Sequence, residues 1–157
     1  MFHVFPIGPS ITTEVRISQR SPQYGHPVHA ETAAGYGPCR SCLNVFREGQ
    51  ERRLLFTYNP FDGQDAYPLP GPVFIHETEC SAYDEGAMFP PALRKLPLTL
   101  EGYGADRWLL ARERPSEPEI EAAIESLFKD AEVRYIHVRN TEAGCYIARV
   151  ERAISGG

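Results

Sequence analysis

The 157-residue sequence has no block of lysine or arginine, no apolar run long enough to span a bilayer, and no internal repeat. Sixteen Lys and Arg against twenty-one Asp and Glu leave a net charge of −5 with neither sign gathered in one place, so the electrostatic footprint of a nucleic-acid or anionic-membrane partner is missing. Without a long apolar run there is no candidate transmembrane helix, and without a repeat there is no solenoid. The segment Met1-Phe2-His3-Val4-Phe5-Pro6 lacks the positive and apolar stretches of a secretory signal, and the tail Ser155-Gly156-Gly157 carries no address. A cytoplasmic protein is expected. A Gly-rich phosphate loop, a G-x-S-x-G elbow, an H-E-x-x-H helix and an acidic metal triplet are also absent, which removes the usual sequence support for nucleotide binding and for the common hydrolases. No residue is singled out as catalytic, and neither a substrate nor a partner protein is named by any motif.

What is present is an ordinary globular composition, 42% hydrophobic and 24% charged. The length suits one domain over residues 1–157, with 1–35 as a peripheral N-terminal segment and 36–152 as the core. Ile11 to Ser18 is rich in β-branched residues and reads as a strand; Gln19 to Pro38 reads as loop. Further strands are expected at 53–58, 73–76, 98–103, 107–112, 133–140 and 145–152, with Asn59-Pro60-Phe61-Asp62-Gly63 and Gly104-Ala105-Asp106 among the turns. Ser116-Glu117-Pro118-Glu119 reads as a capping box opening a helix to about Asp130. Ile120, Ile124, Leu127 and Phe128 share one face of that helix at spacings of four, seven and eight. The sum is an α+β fold: a mainly antiparallel sheet of about seven strands, with one long helix before a C-terminal β-hairpin.

Chemistry concentrates in two places. Cys39-Arg40-Ser41-Cys42 gives two thiols at C-x-x-C spacing, and His76-Glu77-Thr78-Glu79-Cys80 adds an imidazole and a third thiol after a gap of thirty-three residues. Three thiolates and one imidazole suit zinc, which takes such ligands tetrahedrally, and a local pair on each of two segments is a common way to assemble a structural site. Cys39, Cys42, His76 and Cys80 are therefore the candidate metal ligands. Ordinary burial of small apolar side chains and dithiol redox chemistry, with Arg40 lowering a thiol pKa, are the alternatives.

The second place is the last hairpin. Pairing Asn140 with Cys145 puts Tyr135, His137, Arg139, Tyr146, Ala148 and Val150 on one face, and Ile136, Val138, Cys145, Ile147 and Arg149 on the other. His137 and Arg139 then become candidate binders of a small anionic ligand; the alternative function is an uncharacterised enzyme that uses a thiol or this His137/Arg139 face. The alternative is a solvated sheet face with aromatic cross-strand packing. Cys145 reads as a buried small residue, and Tyr58, Phe61, Tyr67 and Phe74 as anchors of a loop packed on the sheet or as the lining of a groove.

Three segments, Gly37-Pro38-Cys39-Arg40-Ser41-Cys42-Leu43, Gly71-Pro72-Val73-Phe74-Ile75-His76, and His137-Val138-Arg139-Asn140 leading to Gly144-Cys145-Tyr146-Ile147-Ala148-Arg149-Val150, resemble the bacterial family catalogued as domain of unknown function 1203. The resemblance covers about Gly35 to Arg152 and is most specific in the final hairpin. It implies a single small domain, brings no activity with it, and leaves the zinc reading specific to chains with all four ligands. A small zinc-stabilised binding or interaction module is the expected function.

Overall fold

The structure, a computed structural model, describes residues 1–35, 37–61, 69–105 and 107–153. Tyr67, the turn residues Asp62, Gly63 and Asp106, and the tail lie outside them.

Among the described residues, eight strands and two α-helices are arranged as β1 (Phe2–Phe5), α1 (Pro9–Ser18), β2 (His29–Thr32), β3 (Arg52–Tyr58), β4 (Gly71–His76), β5 (Leu98–Tyr103), β6 (Leu109–Glu113), α2 (Ile120–Phe128), β7 (Tyr135–Asn140) and β8 (Tyr146–Arg152). A five-stranded antiparallel sheet runs β1-β8-β7-β5-β6, and a three-stranded antiparallel sheet runs β2-β3-β4. The antiparallel α+β architecture is therefore the one the periodicity predicts. No helix among the described residues is long and apolar enough to cross a membrane.

Ile11 to Ser18 differs from expectation: it is helical. Pro9 occupies the first turn, where its missing N–H costs nothing and its fixed φ is already helical. Thr12 and Val15 then fall on one buried side, and Gln19 ends the helix in the left-handed region at φ 57°. Burial of that face overrides the modest preference of β-branched residues for strands. The segment expected at the periphery also supplies β1, an edge strand that pairs with β8 and places Phe2 and Val4 in the main core.

The helix before the hairpin starts later than the capping box implies. The Ser116 side chain makes no cap hydrogen bond; residues Glu117–Glu119 form a 3₁₀ turn in which the Glu119 N–H donates to the Ser116 carbonyl at 3.0 Å. From Ile120 the apolar face is as predicted. Ile120, Ile124, Leu127 and Phe128 pack with Leu100, Val133, Ile136, Val138 and Val150 on one side of the larger sheet. Arg152 of β8 holds the far end of α2, donating to the carbonyls of Phe128, Asp130 and Val133 at 2.8, 3.0 and 2.6 Å, which satisfies acceptors that a helix terminus leaves without partners.

The other side of the larger sheet is covered as well. Tyr146 of β8 joins Val15 of α1, Leu54 and Phe56 of β3, and Val73 and Ile75 of β4 in a second apolar cluster. Between these two layers every residue of β5 and β7 is buried. Truncating Leu127 to alanine should cost about 2–5 kcal/mol in urea denaturation, the range for a packed core leucine; a loss below about 0.5 kcal/mol would mean that the helix face is not packed.

Candidate metal centre

The Cys39 segment folds as a tight knuckle. The Leu43 N–H donates to the Cys39 carbonyl and the Cys39 N–H to the Asn44 carbonyl, each at 2.9 Å, while Pro38 bridges to Val45. Closing this turn puts Leu43 at φ 62°, a conformation costly for any residue with a Cβ. Burial of its side chain in the main core offsets the strain. Two links align the knuckle with its neighbours: the Arg40 N–H donates to the Phe74 carbonyl at 2.9 Å, and the Ile7 N–H to the Arg40 carbonyl at 3.0 Å. The knuckle thus lies beside β4, whose last residue is His76.

This placement brings the four expected ligand atoms of Cys39, Cys42, His76 and Cys80 within 4.8 Å of one another. Cys39 Sγ is 3.8 Å from Cys80 Sγ, and Cys42 Sγ is 3.6 Å from His76 Nδ1. Zinc bound tetrahedrally at the usual bond lengths sets ligand atoms about 3.8 Å apart for two sulfurs and about 3.6 Å apart for sulfur and nitrogen. The donor set and its spacing fit that metal. Cys39 is buried and its Sγ accepts two backbone N–H groups, from Ser41 and His76, both at 3.4 Å; such donors favour a thiolate.

Contacts among the thiols divide them. Hydrogen bonds from Cys39 and Cys42 draw the Cys80 thiol well below its ordinary range, while its contacts with Cys42 and Cys80, then burial, push the Cys39 thiol up. His76 is raised to about 10 by hydrogen bonding to Cys42 and Cys80. Metal binding by such a cluster releases the protons its thiols carry.

Two further residues complete the arrangement, and neither was selected from the sequence. Glu51 Oε2 lies 3.0 Å from His76 Nε2, leaving Nδ1 to face the thiols. Arg16 of α1 donates from Nε to the His76 carbonyl at 3.1 Å and from Nη2 to Cys80 Sγ at 3.5 Å. Glu51 has no sequence signal beyond being acidic, and Arg16 is legible only once residues 9–18 are seen as a helix. Arg40, considered above for a redox pair, gives its hydrogen bonds to backbone carbonyls. It is buried and donates to the carbonyls of Tyr146 and Pro38 at 2.8 and 2.7 Å. No helix begins at Cys42, the arrangement that stabilises the reactive thiolate of redox C-x-x-C pairs.

The hairpin face is organised differently from the expected register. His137 pairs with Arg149 and Val138 with Ala148, then a bulge between Val138 and Arg139 makes Arg139 pair with Tyr146. The bulge puts Arg149 on the His137 face in place of Ala148 and Val150, which lie in the main core. This face is not solvated. Phe61, Tyr103, Tyr135 and Tyr146 surround His137 at ring distances of 4.7, 5.0, 5.1 and 4.9 Å. Both ring nitrogens of His137 are buried without a hydrogen-bond partner among the described residues. Burial, with Arg139 and Arg149 nearby, holds the imidazole well below its ordinary pKa and therefore neutral. Arg139 is also buried, its Nε donating to Glu101 Oε1 at 2.6 Å and its Nη1 to the Gly144 carbonyl at 3.3 Å. Cys145 is half-buried at the hairpin end, and Phe61 is the loop residue that closes over His137.

A family profile described as a protein of unknown function, DUF1203, matches residues 36–152. The chain belongs to this family. The matched segment contains the knuckle, β4 and the whole β7–β8 hairpin, whereas β1, α1 and β2 precede it. No curated protein and no solved structure matches the chain.

Replacing Glu51 with alanine should weaken zinc binding about 10- to 100-fold, because the carboxylate orients the ligating imidazole. Competition with a chromogenic chelator measures this, and unchanged affinity would remove Glu51 from the site.

For His137 the sign is set by its depressed folded pKa. The unfolded chain takes up a proton below about pH 6.5 that the folded protein refuses. The stability contribution is complete above that pH and falls, by up to about 1.4 kcal/mol per unit, as pH drops toward the folded value. Urea midpoints between pH 7.5 and pH 5 should show this slope in the wild type and a shallower one in His137→Phe. Parallel slopes would mean that His137 is protonated when folded.

Proposed function

We propose that the chain is a small zinc-stabilised binding or interaction module of the cytoplasm, holding one ion through Cys39, Cys42, His76 and Cys80 in a structural role. The observation that carries this reading is the approach of four ligand atoms, from two segments far apart in sequence, to within 4.8 Å. Four protein ligands leave no coordination position for water, and three thiolates leave zinc a weak Lewis acid, so a closed structural site fits better than a hydrolytic one. The ion would cross-link the knuckle, the end of β4 and, through Arg16, helix α1.

Mass spectrometry under native conditions tests the stoichiometry, with one zinc per chain expected. Chelation under reducing conditions should then speed amide exchange first around residues 37–45 and 74–82, with α2 and the β7–β8 hairpin following later. Cys42→Ser should reproduce that order. Protein purified without stoichiometric metal, or uniform loosening on chelation, would sink the reading.

A further inference from the structure

We propose that a second site, the cleft between the Arg139 end of β7 and the start of β4, binds a small organic molecule through a carboxylate or phosphate group. The cleft measures about 500 Å³, within the range of sites for small molecules and far larger than a bare anion requires. Among the described residues, Arg112, Arg114 and Arg139 line it with Glu101 as the single acidic residue, an excess of two positive charges in a chain of net charge −5. A local field of that sign in a partly closed cleft concentrates anions.

The hydrogen bonds show what is left to bind. Glu101 is fully engaged: Oε1 accepts from Tyr103 Oη at 2.8 Å and from Arg139 Nε at 2.6 Å, and Oε2 accepts from Arg112 Nε and Nη2 at 3.2 and 3.0 Å. Arg139 Nη2 remains buried with no acceptor among the described residues, an unpaired charged donor that is costly in a protein interior. Arg114 is exposed and makes no ion pair among the described residues. One oxyanion in the cleft meets the exposed guanidinium of Arg114, in the planar geometry such groups offer to carboxylate and phosphate, while the charge of Arg139 in the wall adds to the attraction. The rings of Tyr58 and Tyr146, 5.8 Å apart, also line the cleft and give an organic body something to pack on. His137 is absent from the lining, so the cationic work falls to arginine.

The site gives a ligand class to the binding module proposed above and rests on that reading only in this respect. Its test uses zinc-loaded protein, so failure of the metal site would show in the mass and failure of the cleft in reactivity alone. Cys145 lies in the cleft wall, half-exposed, and serves as a reporter. Its alkylation by iodoacetate and by neutral iodoacetamide is followed by peptide mapping. The ratio of rates should favour the anion by roughly tenfold over the same ratio at free cysteine. Inorganic phosphate or benzoate should slow the reaction saturably. Arg114→Gln, on an exposed side chain with no ion pair among the described residues, should reduce both effects, and Arg139→Gln should abolish the protection. Protection by phosphate alone assigns a phosphate ligand, and protection by benzoate alone a carboxylate. A ratio equal to that of free cysteine without protection by either anion, or equal protection by chloride at matched ionic strength, would overturn the proposal.

Discussion

Every residue of β5 and β7 is enclosed, with α2 covering one side of these central strands and aromatic and polar layers covering the other. That two-sided enclosure governs the chemistry of the domain. A sheet with one wet face can leave its polar side chains to water, but here Thr99, Glu101, His137 and Arg139 must find partners inside. Thr99 does so with Thr141 at 2.7 Å, and Glu101 with two arginines and a tyrosine. The carboxylate responds accordingly: burial alone would raise its pKa, but the Tyr103 hydroxyl and the Arg139 charge outweigh this and hold it below the ordinary range. His137 finds rings instead of hydrogen-bond partners among the described residues.

The candidate metal centre lies at the opposite kind of place, a rim where three pieces of irregular or terminal backbone meet. Its precision comes from backbone hydrogen bonds, since the knuckle is registered on β4 by Arg40 and Phe74 and on the β1–α1 connection by Ile7. Side chains then add the outer layer, with Glu51 orienting the imidazole and Arg16 reaching the sulfur of Cys80. The part of the chain outside the family match therefore contributes directly to the environment of residues inside it.

Much of this was readable in the residues because it depends on local periodicity. The apolar face of α2, the strands β3 to β8 and the Cys39, Cys42, His76 and Cys80 set follow from spacing and residue type, and the structure forms these elements and brings the four side chains together. The differences arise where non-local contacts decide. Residues 11–18 look strand-like until the burial of Thr12 and Val15 and the start at Pro9 are known. β1 and β2 have four residues each, too few for alternation to register against Pro and Gly neighbours. The bulge that moves Arg149 onto the His137 face is invisible in composition, because a single extra residue between paired strands leaves no periodic trace. Glu51 and Phe61 acquire their roles only by approaching partners far along the chain.

The pairing of β1 with β8 also bears on time. Phe2 faces Arg152 and Val4 faces Val150, so the larger sheet gains its outer strand through contacts of nearly the greatest separation the chain allows. Such closures are entropically late and slow the search for the native state. Until β8 exists, the apolar residues of β1 have no edge to join, and a ribosome-bound chain carries them uncovered while the knuckle and the β3–β4 hairpin, joined over much shorter spans, can already form.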